Sequence, residues 1–173
     1  MKKQLATLLL ALGLMTSFSA MAQQKIGHIN ADELLQLMPE TKTAQQQLET
    51  YGRQLEKDLK EMETELQTKV NSFRENQKLM TELSRETKSR EIQELQLRIQ
   101  EYSQKAQEDL QQKQVELLSP IIEKATKAVQ DVAKENNLAY VLDSSPSKAV
   151  VIFTADNSED LMKKVKAKLG ITN

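Results

Sequence analysis

The chain of 173 residues contains one histidine, His28, and no cysteine. That excludes thiol nucleophiles, disulfides, Cys-ligated zinc and iron–sulfur sites, and any metal site needing two His. His28 sits in Lys25-Ile-Gly-His-Ile-Asn30, where alternation reads it as a strand residue with a structural role. Carboxylates abound, but they recur four residues before a base: Glu56/Lys60, Glu65/Lys69, Glu94/Arg98, Glu101/Lys105 and Asp109/Lys113. Such pairs stabilise a helix surface by a few tenths of a kcal/mol (about 0.2–0.5) and do not read as catalytic acids. No GxGxxG or GxxxxGK[ST] run exists among the four glycines, so no nucleotide or other cofactor is expected. No residues can be assigned catalytic roles, and the remaining chemistry is binding. Leu79, Met80, Leu83 and Leu97 are apolar residues in or beside a polar, charged stretch, and such adaptable side chains suit a promiscuous surface. The competing reading is that they only close the end of an element.

Those residues need long elements to hold them. Three prolines, Pro39, Pro120 and Pro146, divide the chain after its first residues. Residues 1–22 read as a Sec-type signal cleaved before Gln23: a basic start at Lys2-Lys3, an apolar run from Leu5 to Met15, and Ala20-Met21-Ala22 before the cut. The apolar run is too short to span a bilayer, which takes about 20 residues. Cleavage removes two lysines and no acid, so 22 basic residues face 25 acidic ones, a net charge of −3. That balance does not indicate a nucleic-acid partner.

A strand over Lys25–Asn30 precedes a short helix over Ala31–Met38, with Asn30 and Glu33 as a capping box and Pro39 as its stop. Apolar residues then recur at Ala44, Leu48, Tyr51, Leu55, Leu59, Met62, Leu66, Val70 and Phe73, an eleven-residue repeat that predicts a nearly straight helix seam. A second stripe runs through Ile92, Leu95, Ile99, Tyr102, Ala106 and Leu110. The two predict an antiparallel helical hairpin turning near Glu82–Ser89, with arms of about 35–40 residues, roughly 55–60 Å. The alternative is one continuous helix in a long coiled coil. Pro120 falls within a helical pattern and is expected to kink it or start a new helix; Pro39 and Pro120 together mark a hinge at the arm base.

After Asn136-Asn137 the period changes to two. Leu138–Asp143 and Lys148–Thr154 read as strands joined by a turn at Ser144–Ser147, and a last helix starts near Asp156–Ser158 and ends at a Gly170 cap. The chain is therefore α+β: a hairpin arm over residues 41–118 projecting from a small β-rich body of residues 23–40 and 119–173. Such a body is too small to cover both faces of its apolar strands, so oligomerisation is expected. The expected interface residues are Ile26, Ile29, Leu138, Tyr140, Leu142, Val150 and Ile152.

Four stretches, in order, resemble the Skp/OmpH family of periplasmic chaperones for outer-membrane proteins. They are Lys25–Asn30 with Asp32-Glu33-Leu34-Leu35, Glu61–Lys69, Leu118–Ile122, and Leu138–Asp143 with the last helix. The resemblance implies a jellyfish-like homotrimer whose β-body is completed by trimerisation, located in the periplasm. It also implies an ATP-independent holdase that keeps unfolded outer-membrane proteins in a cavity between its arms and prevents their aggregation. Family members often have strongly basic arm tips. Here Arg74, Lys78, Arg85, Lys88 and Arg90 face Glu75, Glu82 and Glu86, so no lipopolysaccharide site carries over, although a transient membrane or lipopolysaccharide contact at the tips stays open. The alternative function is a structural coiled-coil adaptor docking one folded envelope partner.

Overall fold

The computed structural model describes residues 24–171 except Ala149, so the expected signal of residues 1–22 lies outside the described residues. The elements run β1 (Ile26–Ile29), α1 (Ala31–Leu37), α2 (Pro39–Asn76), α3 (Glu82–Glu135), β2 (Tyr140–Asp143), β3 (Glu159–Asp160) and α4 (Met162–Leu169). Asn30 caps α1 as expected: its Oδ1 accepts from the Glu33 amide at 3.1 Å, and its Nδ2 reaches Glu33 Oε2 at 3.4 Å. Met38 is extended, as a residue before proline prefers, and Pro39 opens α2 where its missing N–H costs nothing. One proline thus ends α1 and starts α2.

Helices α2 and α3 form the antiparallel hairpin. Glu40 pairs with Lys124 at the base, Tyr102 Oη donates to Asp58 Oδ2 at 3.2 Å in mid-arm, and Lys69 lies 3.9 Å from Glu91 toward the tip. One partner's number rises as the other's falls. Every residue of both apolar stripes is buried or half-buried. Most are half-buried, because two helices cover only one side of each other, while Ala44 and Leu95 are buried. The 38-residue α2 is about 57 Å long and the 54-residue α3 about 80 Å, so α3 alone continues from arm into body.

Two expectations about this hairpin need correction. The turn is at Gln77–Thr81, not Glu82–Ser89. Thr81 Oγ1 accepts from the Ser84 amide at 3.2 Å and starts α3 there, while Thr87, inside the helix, donates its hydroxyl to the Leu83 carbonyl at 2.9 Å. Residues that favour turns can thus sit within a helix once a neighbour supplies the cap. Pro120 does not begin a new helix: α3 runs through it as one element. Ile121, Ala125, Ala128 and Val132 follow directly and are buried in the body core, so the helix continues past the backbone hydrogen bond that proline removes.

The body is a three-stranded parallel sheet in the order β2-β1-β3. The whole hairpin serves as the crossover between β1 and β2. Gly27 in the central strand is required by close approach: a Cβ there would sit 2.8 Å from Leu138 Cδ1 and 3.3 Å from the Glu159 carbonyl oxygen. Ile29, Leu34, Met38, Ala44, Leu161 and Val165 close the core with the buried face of α3. Gly170 takes the left-handed conformation that caps α4.

The sheet also departs from expectation. Among the described residues of Lys148–Thr154 no strand forms, although the turn before it is present, with the Lys148 amide donating to the Ser145 carbonyl at 3.0 Å. Val150, Ile152 and Phe153 are exposed, Ile152 to 98 % and Phe153 to 82 %, while Val151 is half-buried. The last helix begins at Met162, later than expected, because Glu159–Asp160 is drawn into the sheet beside β1. Several surface charges choose the other neighbour one turn away: Glu94 pairs with Arg90, Lys105 with Asp109, and Lys113 with Glu116, while Glu65/Lys69 forms as expected.

Candidate functional site

Three surfaces gather the residues singled out above. The first is the arm tip. Leu79 in the turn and Leu83 in the first turn of α3 are exposed, Met80 is half-buried between them, and Leu97 is exposed further down α3. The tip thus presents Leu79 and Leu83 together and leaves Leu97 apart, 14 residues along the helix from Leu83. Its positive surplus is largely tied up: Arg85 meets Glu82 at 2.9 Å, Lys88 meets Glu91 at 3.3 Å, and Arg90 meets Glu94 at 3.8 Å. Exposed pairs of this kind contribute little to stability, but they mute the field a polyanion would feel.

The second surface is the open edge of the sheet. β2 is an outer strand, and an apolar groove of about 490 Å³ lies between it and α3, lined by Leu35, Ile122, Val129, Leu138, Tyr140 and Leu142 among others. Tyr140, Leu142 and Ile26 are exposed here, and so are Val150 and Ile152 in the run that follows. Ile29 belongs elsewhere: at 4 % exposure it is consumed by the chain's own core, and Leu138 packs against that core as well. Phe153, at the end of the same apolar run, is exposed with Val150 and Ile152.

The edge is held by a hydrogen-bonded clasp. Asp143 Oδ1 accepts from the amides of Ala31 at 3.3 Å and Ser145 at 2.9 Å, and from Ser145 Oγ at 2.5 Å. Ser145 Oγ in turn accepts from the Asp32 amide at 3.0 Å. The clasp ties the end of β2 to the start of α1. Partial burial alone would raise the Asp143 pKa, but the hydrogen bonds from Ser145 and Ala31, with Lys148 nearby, hold it below the ordinary carboxylate value. His28 Nε2 lies 2.8 Å from Ser158 Oγ and joins β1 to the loop before β3.

The third surface is the arm base. Pro39 and Pro120 line one concavity with Glu40, Leu117, Ile121 and Lys124. The Glu40–Lys124 pair crosses it, and the hydrogen bond from Lys124 lowers the Glu40 pKa.

A long two-helix arm fixed to a small sheet has counterparts among known proteins. The sequence model of the family described as "Outer membrane protein (OmpH-like)" matches residues 25–169. The chain belongs to the OmpH-like family. Similar relatives include the chaperone protein Skp of Yersinia enterocolitica, 28 % identical over 166 residues, and that of Pectobacterium atrosepticum, 26 % identical over 166 residues. Each alignment covers 96 % of this chain and 100 % of the relative. An OmpH-like outer membrane chaperone from Caulobacter crescentus shares the fold, with a TM-score of 0.71 at 18 % identity, covering 86 % of this chain and 85 % of that one. The long helices and small sheet are therefore the OmpH-like fold.

Proposed function

We propose that this OmpH-like chain is an exported, ATP-independent holdase that binds unfolded outer-membrane proteins in the periplasm and prevents their aggregation. Residues 1–22 would direct export, and the chain from Gln23 onward would assemble as a homotrimer. The observation that carries this reading is the open body: an outer β2 strand beside an apolar groove, with Val150, Ile152 and Phe153 exposed in the same chain. Edges and apolar runs of this kind are covered in stable proteins. Copies of the chain would cover them through Ile26, Tyr140, Leu142, Val150 and Ile152, and the arms would then enclose a shared cavity. Pro39 and Pro120 would act as the hinge at each arm's base. Leu79, Met80 and Leu83 would add weak apolar contacts to the bound protein at the tips. Many weak contacts on long arms hold an unfolded chain without driving its collapse, and the sequence carries no phosphate-cradling run that would couple them to ATP.

The adaptor reading uses the same arms for permanent docking of one folded partner. Crosslinking in intact cells separates the two. The holdase reading expects a spread of outer-membrane β-barrel precursors attached to the chain. One dominant folded partner and no precursors would contradict it.

A further inference from the structure

Helix α3 carries a second apolar row. Its seam against α2 runs through Leu95, Ile99, Tyr102, Ala106 and Leu110. Leu97 and Val115 are 18 residues apart, five full turns; Leu83 and Ile122 lie about four turns before Leu97 and two turns after Val115. All four fall within one wedge of roughly 60°, on the side of the helix directly away from the seam. They are exposed to 75 %, 56 %, 64 % and 47 % in the order Leu83, Leu97, Val115 and Ile122. Among the described residues, α2 exposes no large hydrophobic side chain at all. The arm is therefore two-sided: one outer face is polar throughout, and the other bears a sparse apolar row that runs at Ile122 into the groove beside β2.

The spacing of the row decides what fits it. At 1.5 Å per residue the gaps are about 21, 27 and 10 Å. Between the apolar residues lie Arg90, Gln93, Glu101, Gln104, Glu108 and Gln111, all exposed. A second helix, or the same face of another copy, needs an apolar contact every three or four residues. It also needs about 800 Å² per side for a stable interface, which four isolated aliphatic side chains fall well short of. An unfolded polypeptide has no such requirement. At about 3.3–3.6 Å per residue it bridges each gap with a few residues and meets each anchor with whichever apolar side chain is near. The alternating apolar and polar sequence of a β-barrel strand supplies such side chains at every second position.

We propose that this outer face of α3 (Leu83, Leu97, Val115 and Ile122) is the face that meets the unfolded polypeptide, and that the outer face of α2 does not. The proposal rests on the holdase reading and adds to it which side of each arm binds. The test places the photo-crosslinking residue p-benzoylphenylalanine at Gln104 or Gln111 on the α3 face, and at Lys57 or Thr64 on the opposite face of α2. The whole exported chain is mixed with a β-barrel outer-membrane protein diluted from urea. Crosslinks are expected at Gln104 and Gln111 in several-fold excess over Lys57 and Thr64. A Leu97→Ser/Val115→Ser variant, altered only at exposed sites, should keep its helix content and molar mass and bind the unfolded protein roughly tenfold more weakly. Equal or α2-favoured crosslinking with aggregation still suppressed overturns the face and leaves the holdase reading standing. No capture at any position together with no suppression overturns both.

Discussion

Asp143 and Ser145 show how a body this thin keeps its open edge in order. One carboxylate oxygen accepts three hydrogen bonds, and the Ser145 hydroxyl passes the connection on to the Asp32 amide. Asp143→Ala leaves those donors without their acceptor and should cost about 1–3 kcal/mol, read as a lowered unfolding midpoint. The pH dependence follows from the lowered folded pKa. The carboxylate's contribution is fully present above its unfolded value of about 3.9, and it is lost as pH falls through the lower folded value. The gap in melting temperature between the natural chain and Asp143→Ala should therefore be constant near neutrality and close in acid. A gap that widens in acid would refute the assignment. The reach of this clasp to α1 was not legible in the sequence, because Asp143 and Ser145 read only as the end of a strand and a turn, and Ala31 and Asp32 lie more than 110 positions away.

The helices were far more legible than the strands. The apolar stripes of α2 and α3, the Asn30–Glu33 cap and the Gly170 cap depend on neighbours within a few residues, and each appears where local spacing puts it. The tip turn was misplaced because Ser84, Thr87 and Ser89 carry turn propensity that Thr81's capping hydroxyl overrides. Val115 escaped notice because only the five-turn interval from Leu97 links it to anything. Lys148–Thr154 read as a strand because its apolar residues resemble those of a covered strand, yet Val150, Ile152 and Phe153 are exposed. Pro120 was recognised as an irregular point, but its effect depends on packing. The core after it keeps α3 continuous, while one backbone hydrogen bond stays missing at the arm base. Pro120→Ala should restore that bond, stabilise the helix by up to about 3 kcal/mol, and stiffen the arm. Spin labels on the tip and body would report it as a narrower distance distribution; an unchanged width would refute Pro120 as a hinge.

Body and arms depend on each other across the molecule. The core formed by β1, α1, α4 and the end of α3 is small, its sheet is open at β2, and Val150, Ile152 and Phe153 are exposed, so a lone copy leaves apolar surface in water. Light scattering with molar-mass detection should find three copies of the chain from Gln23 onward, and a monomer would overturn the proposed assembly. The arms carry little surplus charge and few exposed apolar residues, which suits weak, distributed contact with a yielding partner better than docking to a folded one. The most direct test is turbidity after an unfolded β-barrel outer-membrane protein is diluted from urea, with no ATP present. The holdase account predicts that one trimer per unfolded chain suppresses the rise in scattering. A rise as large as without the protein would contradict it.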